Sequence, residues 1–294
     1  MKRKPDWLRV KIPGGDIHHG IKKTLRDKNL YTVCEEANCP NVGECWRAGT
    51  ATIMILGEVC TRGCRFCSVQ SGNPGGIVDP LEPEKCADTV VSMNLNYVVL
   101  TCVDRDDLLD GGAGQFAKVI AAIQNAKPDC LIEVLVSDYQ GRQIDVETVL
   151  SQNPNVFAHN IETIERLTPK VRDRRASYQQ SLDVLEMAKK LRPDVLTKSS
   201  IMVGLGETEE EVETTMRDLR TRQVDIVTLG QYLQPTRKHL DVVDYITPQQ
   251  FDRYAELAKE LGFLYVASGP LVRSSYRAGE LFLESHLSKK GQAV

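Results

Sequence analysis

No apolar run in the 294-residue chain approaches the ~18 residues that a membrane-spanning helix needs, so none is expected. Neither sign of charge dominates. Lys and Arg number 37 and Asp and Glu 40, for a net charge of −3, which gives no electrostatic case for nucleic acid or a membrane surface as the main target. The start, "MKRKPDWLRVKIP", is basic but has no apolar core, so it does not read as a secretory signal, and a cytoplasmic protein is expected. Repeats, low-complexity tracts and obvious linkers are absent as well. A hydrophobic content of 41% and a charged content of 26% are ordinary for a globular chain.

What is present begins with short apolar runs rich in Val, Ile and Leu and without polar alternation, as in strands buried on both faces. They are "TIMIL" (52–56), "YVVLTCV" (97–103), "LIEVLV" (131–136), "VFAHNI" (156–161), "KSSIMVG" (198–204) and "DIVTLGQY" (225–232). Amphipathic stretches at 113–127, 178–191, 208–223 and 248–262 read as helices between them. Thr208 with Glu211, and Thr247 with Gln250, have the spacing of capping boxes and mark helix starts.

Six strand–helix units in succession imply a parallel sheet with helical crossovers. A complete eight-unit TIM barrel takes about 250 residues, and here some 190 (51–240) supply six units. The expected fold is therefore α/β: a partial six-unit TIM-type barrel over 51–263, with "FLYVAS" (263–268) as a further short strand. Residues 1–50 and 264–294 would be extensions packed on it, within one structural domain. In such barrels the chemistry gathers at the C-terminal ends of the strands, where Thr101, Asp104, Ser137, Asp138, His159, Asn160, Glu162, Lys198 and Gln231 fall.

Nine cysteines are an odd number for a disulfide framework, and six of them lie between residues 34 and 67. Cys34, Cys39 and Cys45 are spaced C-x₄-C-x₅-C. Cys60, Cys64 and Cys67 are spaced C-x₃-C-x₂-C, just after the first strand. Three thiolates are one short of a closed zinc site, and zinc would have to pair the two triads across the chain. Soft thiolates on irregular loops also suit iron–sulfur clusters. Cys86, Cys102 and Cys130 read as core residues.

The C-x₃-C-x₂-C spacing after the first strand of such a fold resembles the signature of the radical S-adenosylmethionine enzymes. The upstream triad narrows the resemblance. Together with "TCVDRDDLLDGGA" (101–113), "FAHNIET" (157–163), "TKSSIMVGLGET" (197–208), "LGQYLQPT" (229–236) and "GPLVRSSYRAGE" (269–280), the chain is similar to the lipoyl synthase family from Trp7 to about Glu280. It departs at Cys102, where that family is expected to carry Ser.

The resemblance implies a sulfurtransferase with two 4Fe–4S clusters. Cys60, Cys64 and Cys67 would hold the radical cluster and leave one iron for S-adenosylmethionine. Cys34, Cys39, Cys45 and a serine of "RSSY" (273–276) would hold an auxiliary cluster that gives up sulfur, with Ser275 chosen by position over Ser274. The reaction implied is insertion of sulfur at C6 and C8 of an octanoyl chain on a lysine of a lipoyl domain or carrier protein. An unactivated methylene has no acidic proton for a base to take, so an abstracting radical is required.

Thr101, Asn160, Glu162 and Lys198 would contact S-adenosylmethionine, and Gly204 and Gly206 would let backbone approach its adenine. "RDRRAS" (172–177) is either a solvated turn or a contact for the cofactor's carboxylate through Arg174 or Arg175. His18, His19, His239 and His286 are assigned to no metal. An electron-donor protein and an iron–sulfur carrier that rebuilds the auxiliary cluster are the other partners expected, and a monomer suits a site that admits a whole carrier domain. The basic start (Lys2, Arg3, Lys4, Arg9, Lys11) is either solvated or a dock for an acidic carrier. A methylthiotransferase is the alternative, because it shares an upstream cysteine triad.

Overall fold

Burial on both faces explains why the apolar runs become strands of a parallel sheet. In the computed structural model, which describes residues 3–8, 32, 41, 45 and 50–275, they are β1 (Thr50–Ile55), β2 (Val59–Cys60), β3 (Gln70–Ser71), β4 (Tyr97–Cys102), β5 (Leu131–Leu135), β6 (Val156–Ala158), β7 (Leu196–Val203), β8 (Ile226–Gln231) and β9 (Tyr265–Gly269). Cys34, Cys39, Arg9, Lys11, His18, His19, His286 and everything after Ser275 lie outside the described residues.

Seven strands form one sheet in the order β1-β4-β5-β6-β7-β8-β9, every neighbouring pair parallel. The minor pair β2–β3 stands apart. Helices separate successive strands: α1 (Glu82–Ser92), α2 (Ala113–Ala126), α3 (Gln143–Leu150), the short α4 (Thr168–Val171), α5 (Tyr178–Leu191), α6 (Glu209–Thr221) and α7 (Pro248–Glu260). α6 starts on a complete capping box: the Thr208 hydroxyl accepts from Glu211 N, and the Glu211 carboxylate from Thr208 N at 2.8 Å. At α7, Thr247 accepts from Gln250 N with Pro248 in the first turn. Each such cap contributes about 1 kcal/mol.

Alternate residues divide the sheet. Ala51, Ile53, Val98, Leu100, Ile132, Val134 and Phe157 face the helices in one core, and Ile201, Val203, Val227 and Leu229 face α5, α6 and α7 in another. Tyr97, Val99, Val156, Leu196 and Ile226 form a small cluster on the opposite face. Above that cluster, toward the C-terminal strand ends, Thr52 and Met54 of β1 and Gly230 of β8 line one cavity. In a flat sheet β1 and β8 would stand about 24 Å apart, five spacings of about 4.8 Å. The sheet is therefore curled, as an open barrel is, and no described pair joins β1 to β9. The sheet continues past residue 263, because β9 pairs with β8.

Candidate active site

The curl concentrates polar side chains at one mouth. The cavity there measures about 470 Å³ and is lined by Cys60, Cys64 and Cys67, by Thr101, Asp104, Asp138, His159, Asn160 and Glu162 from the strand ends, and by Ser274 and Ser275 from the far end of the described chain. Lys4 also reaches it.

Cys60 ends the minor strand β2. Arg62 N lies 3.4 Å from its sulfur, Asp173 N lies 3.3 Å from the sulfur of Cys64, and Cys67 N donates to Cys64 O at 3.1 Å. Burial pushes the thiols up, Cys60 to about 11 with help from Asp104 and Cys64 to about 12; Cys67 is raised for the same reason. Neutral buried thiols are what a soft metal centre would displace protons from. Among the described residues, no three His, Cys, Asp or Glu side chains are gathered as a single ion would gather them. Three soft donors on one cavity wall, with room beside them, fit an iron–sulfur cluster with an open corner.

One side chain absent from the sequence-level candidates organises this loop. Arg62, between Cys60 and Cys64, is 4% exposed. Its guanidinium takes Asp106 through two hydrogen bonds of 2.9 and 2.8 Å and Asp138 through two of 2.7 Å, with Asp104 at 3.4 Å. The thiol loop is thereby stapled to the ends of β4 and β5. Although burial opposes it, Asp138 is held down at about 2 by Arg62. Asp104 goes the other way: burial, only partly offset by Arg62, and the neighbouring Asp138 and Asp106 lift it to about 6. An arginine inside a cysteine motif gives no sign in sequence of which acids it will meet.

At the end of β6, His159 is buried, with Nδ1 2.9 Å from Val136 O and Nε2 2.9 Å from Ser181 Oγ. Burial, and the nearby Arg172, bring its pKa down to about 4, so the ring is neutral at pH 7. Asn160 Nδ2 donates to the Glu162 carboxylate at 3.2 Å. Glu162 has φ +68°, a backbone state unfavourable for a residue with a Cβ; two backbone bonds to β7, Glu162 N to Ser200 O and Met202 N to Glu162 O, hold it there.

Three expectations need correction. Lys198 does not line the cavity: it is 4% exposed, and Nζ reaches both oxygens of Glu133 at 2.8 Å. It lies two residues below Ser200 on β7, about 7 Å further from the mouth, and Tyr97 shares its carboxylate at 2.6 Å. Gly204 and Gly206 do not line it either. A Cβ on Gly204 would meet Gln231 Nε2 at 2.1 Å and Asp244 O at 2.5 Å, and Gly206 faces Val243, so these glycines seat the segment around 241–245 on β8. In "RDRRAS" the cavity residue is Arg172, while Arg175 is engaged by Asp173 and Thr61 O, and Arg174 is exposed. Cys86 and Cys130 are buried in the core, whereas Cys102 packs against the core and also reaches the cavity. His239 Nε2 lies 2.9 Å from Cys67 O.

A segment before β1 is tied to the turn after β9 that lines the mouth. Cys45 N donates to Asn41 O at 3.1 Å, and Asn41 Nδ2 to Leu271 O at 2.7 Å across 230 residues. Leu271 opens the turn that carries Arg273, Ser274 and Ser275. Gly230 lets this turn approach β8, since a Cβ there would stand 2.2 Å from Val272 O.

A thiol triad after the first strand of a curled parallel sheet is the arrangement of the radical SAM superfamily, and the model of that superfamily matches residues 54–219. Residues 1–39 match the N-terminal domain of lipoyl synthase of the radical SAM family. The lipoyl synthase of Thermus thermophilus is 57% identical over 284 residues, covering 97% of this chain and 88% of that protein. That of Legionella pneumophila is 56% identical, covering 97% and 86%, and the mitochondrial one of Schizosaccharomyces pombe 54%, covering 98% and 80%. The chain belongs to the lipoyl synthase family. Among solved structures, the FeFe-hydrogenase maturase HydG from Carboxydothermus hydrogenoformans shares the fold at a TM-score of 0.58 and 14% identity, covering 93% of this chain and 78% of that one. Methylornithine synthase shares it at 0.51 and 13%, covering 85% and 81%.

Proposed function

We propose that the protein is a lipoyl synthase that inserts two sulfur atoms, at C6 and C8, into an octanoyl-lysine presented by a lipoyl domain or carrier protein. The observation that carries this reading is one cavity lined both by Cys60, Cys64 and Cys67 and by the Arg273–Ser275 turn, with Cys45 tied to that turn through Asn41. A 4Fe–4S cluster and S-adenosylmethionine, when bound, supply a 5′-deoxyadenosyl radical able to take hydrogen from an unactivated methylene. The chain's own residues bind, orient and shield. Cys60, Cys64 and Cys67 are the cluster ligands. Thr101, Asn160, Glu162 and Arg172 line the space left for the sulfonium cofactor, where buried and strained groups suit fixed polar contacts. Cys34, Cys39, Cys45 and Ser275 would hold a second cluster, which would supply the sulfur. A hard alkoxide is a weak ligand for soft iron, which suits a cluster that must be dismantled.

The near-full-length similarity to lipoyl synthases, which includes the upstream triad, does not favour the methylthiotransferase alternative. Partners in the proposed cycle are the octanoylated carrier, a one-electron donor and an iron–sulfur carrier that rebuilds the auxiliary cluster, acting on a monomer. No described helix is long and apolar enough to cross a membrane, and free thiols at the site suit a reducing compartment such as the cytoplasm. The test is cysteine replacement after anaerobic reconstitution. Cys60→Ala, Cys64→Ala or Cys67→Ala should abolish 5′-deoxyadenosine release, whereas Cys45→Ala should keep part of it and lose sulfur insertion. Normal cofactor cleavage by any of the first three would contradict the assignment.

A further inference from the structure

Three segments meet at Arg65, the residue after Cys64: its own thiol loop, the stretch of Lys170 and Val171, and the stretch of His239 and Leu240. Arg65 N donates to Val171 O at 2.9 Å and its guanidinium to Lys170 O at 3.4 Å, while Leu240 N donates to Arg65 O at 3.2 Å. His239, in the third segment, lies 2.9 Å from Cys67 O through Nε2. Among the side chains these segments leave exposed are Arg65, Lys170, Arg174, Arg237 and Lys238. None of the five is ion-paired, among the described residues, with a carboxylate. Of the acids in the same segments, Asp173 is paired with Arg175 and accepts from Gly63 N, while the exposed Asp241 accepts only from the neutral Gln234, so five cations face one unpaired carboxylate. A concentration of uncompensated positive charge stands out on a chain of net charge −3.

Its position is specific. Cys64 and Cys67 line the cavity, and none of the five cations does. The basic face is thus the outer side of the segment whose inner side carries the thiols. The proposed reaction draws one electron from outside for each S-adenosylmethionine cleaved, and electron transfer falls steeply with distance. A donor docked over Arg65 would approach the thiol loop without obstructing the mouth, where the octanoyl arm must enter beside Lys4, Ser274 and Ser275.

We propose that this face, centred on Arg65, is the docking surface for an acidic one-electron carrier protein bearing a flavin. The inference rests on the radical reading of Cys60, Cys64 and Cys67. Opposed charges of this kind govern encounter rate and its salt dependence more than final affinity, so the complex is transient and weakens as added salt shortens the Debye length. The donor's centre loses one electron per cofactor cleaved, and no bond forms between the proteins.

The experiment reverses Lys170, Arg174, Arg237 and Lys238 to Glu and leaves Arg65 in place; a second variant carries Gln at the four positions. Binding of a purified acidic flavodoxin to the reconstituted protein is measured by calorimetry at low and at ~0.5 M salt. Turnover of an octanoyl-lysyl peptide is measured with reduced flavodoxin and, separately, with dithionite. The expected result is binding weakened about tenfold or more by the Glu variant, with a smaller loss for the Gln variant, salt sensitivity reduced in the Gln variant and reversed in the Glu variant, slowed flavodoxin-driven turnover and unchanged dithionite-driven turnover. Unchanged flavodoxin binding would overturn the proposal. So would an equal loss with both reductants, or a dithionite-driven defect that appears only when an octanoylated carrier domain replaces the peptide, which would give the face to the carrier. A wild-type protein that released no 5′-deoxyadenosine with dithionite would instead refute the radical reading, and the binding measurement would still decide the surface.

Discussion

His159 ties a single residue to a measurable pH dependence. Its pKa falls from 6.5 in an open chain to about 4 in the fold. Between those values the unfolded chain takes a proton that the folded ring refuses, so stability falls as pH drops from 6.5 toward 4, by up to about 3 kcal/mol, and is unaffected above 6.5. Asp104, lifted to about 6, acts with the opposite sign over part of this range. The test is therefore the difference between wild type and His159→Gln in urea unfolding of the metal-free protein: wild type should lose more stability than the variant as pH falls from 6.5 to about 4, and parallel slopes would contradict the burial argument. Ser275 gives the functional counterpart. Ser275→Ala should spare 5′-deoxyadenosine release and lower sulfur insertion severalfold with a labile auxiliary cluster, and Ser275→Cys should supply a softer, tighter ligand that releases sulfur poorly. Iron content and mass spectrometry of the peptide separate these outcomes. A defect found only in Ser274→Ala would move the ligand by one residue. At this scale the grouping of Cys60, Cys64 and Cys67 on one cavity wall was legible, because cysteine spacing is local. It did not reveal that Lys198 belongs to Glu133, because that pairing depends on which inward-facing residues of β5 and β7 share a level of the sheet.

Strands and helices were the most legible level, since burial on both faces and capping chemistry are written in short stretches. "VFAHNI" ends as a strand at Ala158, before its apolar content does: Ile161 N donates to the Ser199 hydroxyl instead of to backbone, and pairing with β7 resumes only as a single bridge at Glu162. Contacts between elements were not legible. Arg62 is the example: it staples the thiol loop to β4 and β5 through Asp106 and Asp138, residues far from it in the chain. Arg62→Gln should cost about 3–5 kcal/mol in denaturant unfolding, because it leaves buried carboxylates uncompensated. Arg62→Lys should cost less, keeping charge but losing the two-pronged geometry. A change below about 1 kcal/mol in Arg62→Gln would mean that the loop does not depend on the staple. Gly230 provides a test of the opposite end. Gly230→Ala must displace Val272 and the turn behind it, so it should reproduce the Ser275→Ala phenotype, lowering sulfur insertion while cofactor cleavage persists. Equal loss of both activities would show that the turn serves the radical site as well.

For the whole molecule, the curl of the sheet is what makes a site. It brings β1 and β8 to one cavity and lets the turn after β9 cross the mouth opposite the loop after β1. The hydrogen bond from Asn41 to Leu271 then links the segment of Cys45 to that turn. The most direct test of the account is anaerobic incubation of the reconstituted protein with an octanoyl-lysyl peptide, S-adenosylmethionine and dithionite, followed by mass spectrometry of the peptide and quantification of 5′-deoxyadenosine. The account predicts a peptide carrying two added sulfur atoms, and two molecules of 5′-deoxyadenosine for each. Cofactor cleavage with no sulfur gained by the peptide, from a protein holding both clusters, would contradict it.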